Sequence, residues 1–136
     1  MNNLYGTAMV QSLPIRNFHW LSREEINKII WENVSETNYT GYILEVDLDY
    51  PPELHDSHNN YPLAPEKMKI INNMLSPYCQ EMKGSLGIIN GIVSKLVPTL
   101  QHKKQYILHY RNLQLYLQLG MKLRYIHRVI SFHQAP

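Results

Sequence analysis

The stretch Tyr42-Ile43-Leu44-Glu45-Val46-Asp47-Leu48-Asp49-Tyr50 decides the fold class. It alternates with a period of two, the side-chain period of an extended strand. Tyr42, Leu44, Val46, Leu48 and Tyr50 share one face, and Ile43, Glu45, Asp47 and Asp49 share the other. An apolar face backed by an acidic one describes a strand with a core on one side and water on the other. Pro51-Pro52 ends it, because proline has no N–H for a ladder. Downstream, residues 104–110 read as a second strand and Met121 to Phe132 as a third. In the last, Leu123, Tyr125, His127 and Val129 fall on one face and Lys122, Arg124 and Arg128 on the other.

Helical signals lie before and between these strands. Residues 4–12 form a short helix that must end before Pro14. Ser22 and Glu25 have the spacing of a capping box, and Ile26, Ile29 and Ile30 follow at helical spacing, which predicts a helix from Arg23 to Glu32. Asn38 to Gly41 reads as a turn. Residues 51–65 hold four prolines and read as an extended loop, with Pro65 opening a helix over Glu66 to Leu75 that stops before Pro77. Asn112 caps a helix over Leu113 to Leu119, with Gly120 as its stop. The alternation of strands and helices predicts an α+β domain over residues 1–136, a mixed or antiparallel sheet with packed helices.

The 136 residues are 44% hydrophobic and 18% charged, enough apolar content for a core and too much for disorder. The lone cysteine, Cys79, permits no internal disulfide and fits an intracellular, reducing compartment. Met1-Asn2-Asn3 lacks the basic start of a signal peptide. The longest apolar region, Leu86 to Leu100, is broken by Asn90, Ser94, Lys95 and Pro98, so no membrane span is expected.

The net charge of +2 conceals an asymmetry. Residues 1–81 carry 11 acidic and 5 basic side chains, whereas residues 82–136 carry 8 basic side chains and no acidic one. Two readings follow. The basic half meets a polyanion, with Lys103, Lys104, Arg111, Lys122, Arg124 and Arg128 along phosphates and Tyr106, Tyr110, Tyr116 and Tyr125 interleaved for stacking. Alternatively, the basic half packs against the acidic half.

Catalytic signals are sparse. Glu45, Asp47 and Asp49 on one strand face have the arrangement of Mg²⁺ ligands for phosphoryl chemistry, and also that of a solvated strand face. His55-Asp56-Ser57-His58 offers two imidazoles and a carboxylate, short of the ligand set of a zinc site without further donors. Cys79 reads as a buried inert thiol, since no local signature pairs it with a histidine. The glycine-rich stretch Gly84 to Gly91 lacks the Lys-Ser/Thr of a phosphate loop, and no GxSxG occurs.

Several stretches nonetheless form an ordered set. Asn2-Asn3-Leu4-Tyr5-Gly6-Thr7-Ala8-Met9 is similar to the tail of the first catalytic motif of family-B DNA polymerases, in the protein-primed branch of viruses, linear plasmids and self-synthesising DNA transposons of the Polinton or Maverick type. Leu13-Pro14-Ile15, Phe18-His19-Trp20-Leu21, residues 41–48, residues 58–66, Leu96-Val97-Pro98, residues 109–113 and the run from Gly120 to Val129 extend the resemblance along nearly the whole chain.

The resemblance implies a partial palm subdomain, lying between the first and second polymerase motifs. It implies that Tyr5 packs under the sugar of an incoming nucleotide and that Asn3 and Leu4 supply neighbouring triphosphate-contacting backbone. The metal-binding Asp of the first motif would precede Met1, and the later motifs do not occur, so no catalytic residue and no Mg²⁺ site are expected in this chain, although the intact family enzyme uses Mg²⁺. Residues 82–136 would correspond to an inserted region that touches DNA and the priming protein. Implied partners are DNA, a priming protein or an intact polymerase, and the chain itself through exposed sheet edges. The implied location is the nucleus or cytoplasm of a host. The alternatives are a repurposed DNA- or RNA-binding module and a protein-interaction module without an enzymatic role.

Overall fold

The alternation of residues 42–50 becomes the central strand of a sheet. A computed structural model describes residues 3–87 and 94–136; Asn2 of the polymerase-like motif and residues 88–93 of the glycine-rich and apolar stretches lie outside the described residues. Along the chain the elements are α1 (Leu4–Met9), β1 (Leu13–Trp20), α2 (Arg23–Lys28), β2 (Thr40–Asp49), α3 (His55–His58), β3 (Glu66–Lys69), α4 (Pro77–Ser85), β4 (Ser94–Val97), β5 (Lys103–His109), α5 (Tyr110–Gln118) and β6 (Lys122–Ala135). The fold is α+β, as the pattern of elements predicts.

The chain divides into two units. Residues 1–56 and 101–136 carry an antiparallel sheet in the order β1-β6-β2-β5. Residues 57–100 carry the ribbon β3-β4 and helix α4. The acid-free half beginning at residue 82 is therefore not a structural unit: its first part belongs to the ribbon unit and its remainder to the large sheet.

Strand β2 is paired on both sides, from Thr40 to Asp49 with β6 and from Ile43 to Leu48 with β5. Its even-numbered residues face the core, and Leu44, Val46, Leu48 and Tyr50 are all but inaccessible. Val129 from β6 and Tyr110 and Leu113 from α5 are equally buried. Each aliphatic side chain so buried contributes about 1.5–3 kcal/mol. The Tyr42 ring meets Trp31 and Tyr110 edge-on, at centroid distances of 5.3 and 6.0 Å. The irregular segment 31–38 is held by side-chain donors that satisfy its carbonyls. Gln114 Nε2 donates to Trp31 O and Val34 O, the Tyr110 hydroxyl to Ser35 O, and Gln134 Nε2 to Asn38 O.

Several expectations are corrected. The predicted 23–32 helix starts with the full Ser22–Glu25 capping box but stops at Lys28; Ile29 is extended, which lets Trp31 turn into the core at 5% exposure. The 38–41 turn lies earlier, with Asn38 N–H bonded to Ser35 O and β2 beginning at Thr40. The loop 51–65 contains a 3-10 turn, Pro52–Leu54, and helix α3. The predicted helix over Glu66 to Leu75 is strand β3, paired with β4, followed by a 3-10 turn; pairing between segments so far apart in sequence overrides the local proline signal. Helix α4 was not expected. Its signal is Ser76-Pro77, with Ser76 Oγ accepting from Cys79 N–H and proline in the first turn. Helix α5 is capped by His109 rather than Asn112 and begins at Tyr110. Gly120, at φ +107°, ends it as predicted.

Gly41 is the tightest point of the sheet. A Cβ there would lie 2.4 Å from the Phe132 ring and 2.5 Å from Gln134 Oε1. Gly41→Ala is expected to cost about 1–3 kcal/mol of stability through overpacking, read as a lower urea midpoint with an unchanged slope.

Candidate nucleic-acid interface

Strand β6 does not keep simple alternation. Opposite β2 it contains two bulges, between the pairs Glu45–Arg128 and Val46–Ile126 and between Asp47–Tyr125 and Leu48–Leu123. The extra residues are His127 and Arg124. Directly opposed residues share a face, so Arg128, Tyr125 and Lys122 lie with Glu45, Asp47 and Asp49, while Ile126 and Leu123 lie with the core residues of β2. The expected grouping of Leu123, Tyr125, His127 and Val129 on one face is thereby corrected: each bulge resets the parity and returns another polar residue to the outer face.

The outer face is a row of carboxylates, two met by arginines and one by a histidine. Arg128 Nε donates to Glu45 Oε2. His127 Nε2 lies 2.8 Å from Asp47 Oδ1, which also accepts from Gln105 N–H at 2.8 Å. Arg124 stands 3.6 Å from Asp49. His102 Nδ1 is 3.5 Å from Asp49, but it accepts the Tyr50 N–H at 3.0 Å, so that nitrogen carries no proton to donate to the carboxylate. Gln105 has φ +50°, a backbone state that costs a non-glycine residue about 1–3 kcal/mol. The Asp47 carboxylate binds its N–H and holds that turn of β5. The same bond, followed by that from His127, lowers the Asp47 pKa below the usual carboxylate range.

The six predicted cations separate. Lys122, Arg124 and Arg128 come together on the outer face, brought there by the two bulges rather than by simple alternation, which would have placed Ile126 with them. Lys104 is exposed on β5. Lys103 is 1% exposed and packs inside, so it presents no charge to a ligand. Arg111 lies elsewhere, beside an open groove of about 1110 Å³, where it donates to Gln11 Oε1 at 2.6 Å and Glu36 Oε2 at 3.0 Å. His109 shares that groove; burial first, then the Arg111 charge, hold its imidazole below the ordinary range. Of the interleaved tyrosines, Tyr110 is core and Tyr125 is half exposed on the outer face. Arg111, Arg124 and Arg128 thus have carboxylate partners from the acidic half of the chain.

Two side chains of this surface carry no binding role in the sequence reading. Trp20 is 60% exposed, with the Arg128 guanidinium 5.2 Å from its ring centroid. Arg23, the first residue of α2, lies 5.2 Å from the Tyr125 ring centroid and donates to Ile126 O, His127 O and the Tyr125 hydroxyl. It satisfies β6 carbonyls beyond the end of β1. The capping box at Ser22 was a signal for the helix and carried none for this contact.

The polymerase-like residues sit at the start of α1. Asn3 is its N-cap: Oδ1 accepts from Gly6 N–H at 2.8 Å and its carbonyl accepts from Thr7 N–H at 2.9 Å. Leu4 and Tyr5 are 65% and 83% exposed.

The β2 carboxylates do not fit a Mg²⁺ site. They point along one strand face, each toward a β6 side chain (Arg128, His127 or Arg124), and among the described residues no group of three His, Cys, Asp or Glu side chains converges. His55, from the His-Asp-Ser-His run, instead bonds Tyr50 O through Nε2 and stacks edge-on with the Tyr50 ring. Cys79 is exposed on α4, correcting the expectation of a buried thiol. Among the described residues no helix is long and apolar enough to cross a membrane.

Asp47 generates a pH prediction. A carboxyl with a lowered folded pKa stabilises the fold at pH values above its unfolded value, and that contribution fades as pH falls through the folded value. The gap in denaturation midpoint between the natural chain and Asp47→Asn should be widest near neutrality and close progressively below about pH 4, as measured by urea melts across pH. Compared with known proteins, the chain matches no family model, no curated protein and no solved structure.

Proposed function

We propose that this chain is a palm element of the protein-primed family-B polymerase type that contacts nucleic acid and does not catalyse by itself. The observation that carries the reading is the state of Asn3-Leu4-Tyr5-Gly6: Asn3 caps a helix start and Tyr5 stands exposed in its first turn, a placement open to a nucleotide sugar. Three further features support it. The sheet has helix α5 against its core face and a second face that carries Lys122, Arg124 and Arg128. The carboxylates of β2 are engaged with β6, in keeping with a role other than metal catalysis. Exposed ion pairs contribute only about 0.2–1 kcal/mol, so a phosphate competes well with Asp49 for Arg124.

Reversing the charge of Arg124, Arg128 or Lys122 would set like charges beside Asp49 or Glu45, so the test removes charge instead and uses lysines that have no ion pair among the described residues. Binding of a labelled primer–template duplex is expected to be salt-sensitive, and Lys104→Ala/Lys122→Ala should lower the slope of log affinity against log salt by about 2. Absence of binding at low salt would sink the reading.

A second reading, a protein-interaction module, is favoured by β1. All eight of its residues are exposed, among them Leu13, Ile15, Phe18 and Trp20, and it lies at the sheet edge. Such an edge invites pairing with another chain. Sedimentation should show concentration-dependent self-association, and a sharp monomer at high concentration would count against it.

A further inference from the structure

We infer that the outer face of the four-stranded sheet holds single-stranded nucleic acid by base stacking, with Trp20 and Tyr125 as the platforms. This rests on the nucleic-acid reading above and narrows it to an unpaired strand.

Both rings belong to one face. Trp20 opposes Ile130, which opposes Ile43; Tyr125 opposes Asp47; Ile43 and Asp47 share the outer side of β2. The rings are 60% and 50% exposed, a large apolar area to leave in water. Phe18, 56% exposed and 5.8 Å from the Phe132 ring, extends the same surface. At roughly 3.3 Å per residue the two platforms stand about 15 Å apart along β6, within reach of one short oligonucleotide.

Each ring is held in place before any ligand arrives. Arg128 lies over Trp20 and is itself fixed by Glu45; Arg23 lies over Tyr125 and is fixed by the carbonyls of Ile126 and His127. Side chains ordered in advance lose little entropy on binding. Each ring thus has a guanidinium beside it for a phosphate and an exposed area for a base, the combination that binds single strands without base-specific contacts.

Charge agrees. The face carries Arg23, Lys122, Arg124 and Arg128 against Glu45, Asp47 and Asp49, and each of these carboxylates already has a partner on β6. A duplex fits this surface less well than a single strand, because its bases are already stacked on one another.

The test follows the anisotropy of a labelled oligothymidylate, with duplex of equal length as the comparison. Trp20→Ala and Tyr125→Ala are each expected to weaken single-strand binding by roughly 5- to 150-fold, while Trp20→Phe, which keeps a ring, should recover most of the loss. Oligothymidylate should also quench the Trp20 emission; Trp31, at 5% exposure, should respond little. Unchanged affinity in both alanine variants overturns the proposal, as does binding without salt dependence, the mark of a protein-type surface. Duplex binding with Trp20 emission unmoved overturns it and leaves the preceding reading standing; no binding to either nucleic acid removes both.

Discussion

Three carboxylates at every second position of one strand repel one another unless countercharge is supplied, and the rest of the sheet is arranged around that constraint. Strand β2 is paired on both sides, so neither its register nor its faces can shift without exposing the core. Glu45, Asp47 and Asp49 must therefore stay on the outer face. Strand β6 answers with two bulges. In the seven residues from Lys122 to Arg128, only Leu123 and Ile126 turn to the core side, and polar residues meet the row of acids. Individually these surface pairs are weak. Together they remove the repulsion that would oppose the pairing of β2 and β6.

The same device shapes the candidate interface. Bulges at Arg124 and His127 increase local twist and bring Tyr125 beside Arg23, while β1 ends at Trp20 under Arg128. Asp47 reaches to the other neighbour, β5, and fixes the left-handed turn at Gln105. One acidic row thus positions side chains on both flanking strands. The outer face becomes a preformed surface of rings and guanidiniums in which most charges already have partners.

This changes what the charge asymmetry means. A basic half and an acidic half, read along the chain, suggest a polyanion partner. In the fold much of that asymmetry is internal: Arg111 meets Glu36, Arg124 meets Asp49 and Arg128 meets Glu45. What remains for a ligand is a modest positive excess supported by exposed aromatic area, a surface suited to stacking and to exchange of surface ion pairs rather than to bulk electrostatic attraction.

By itself the sequence determined the elements whose signal is local and repeated. The period of two in residues 42–50 set the core face of β2, the Ser22–Glu25 spacing set the start of α2, and Gly120 set the end of α5, because each depends only on backbone geometry within a few residues. The grouping of Lys122, Arg124 and Arg128 read from alternation holds because two bulges together bring these three back to one face, while Ile126, of the same parity, turns to the core side. Only the tertiary structure decided that residues 66–69 are a strand, since their partner lies at residues 94–97 and local signals favoured a helix. It also decided that Lys103 is buried, that Trp20 and Arg23 belong to the outer face, and that Tyr125 and His127 leave the side of Val129. Bulges arise from the pairing of two strands distant in sequence, and one extra residue inverts the parity on which every reading of a strand face depends.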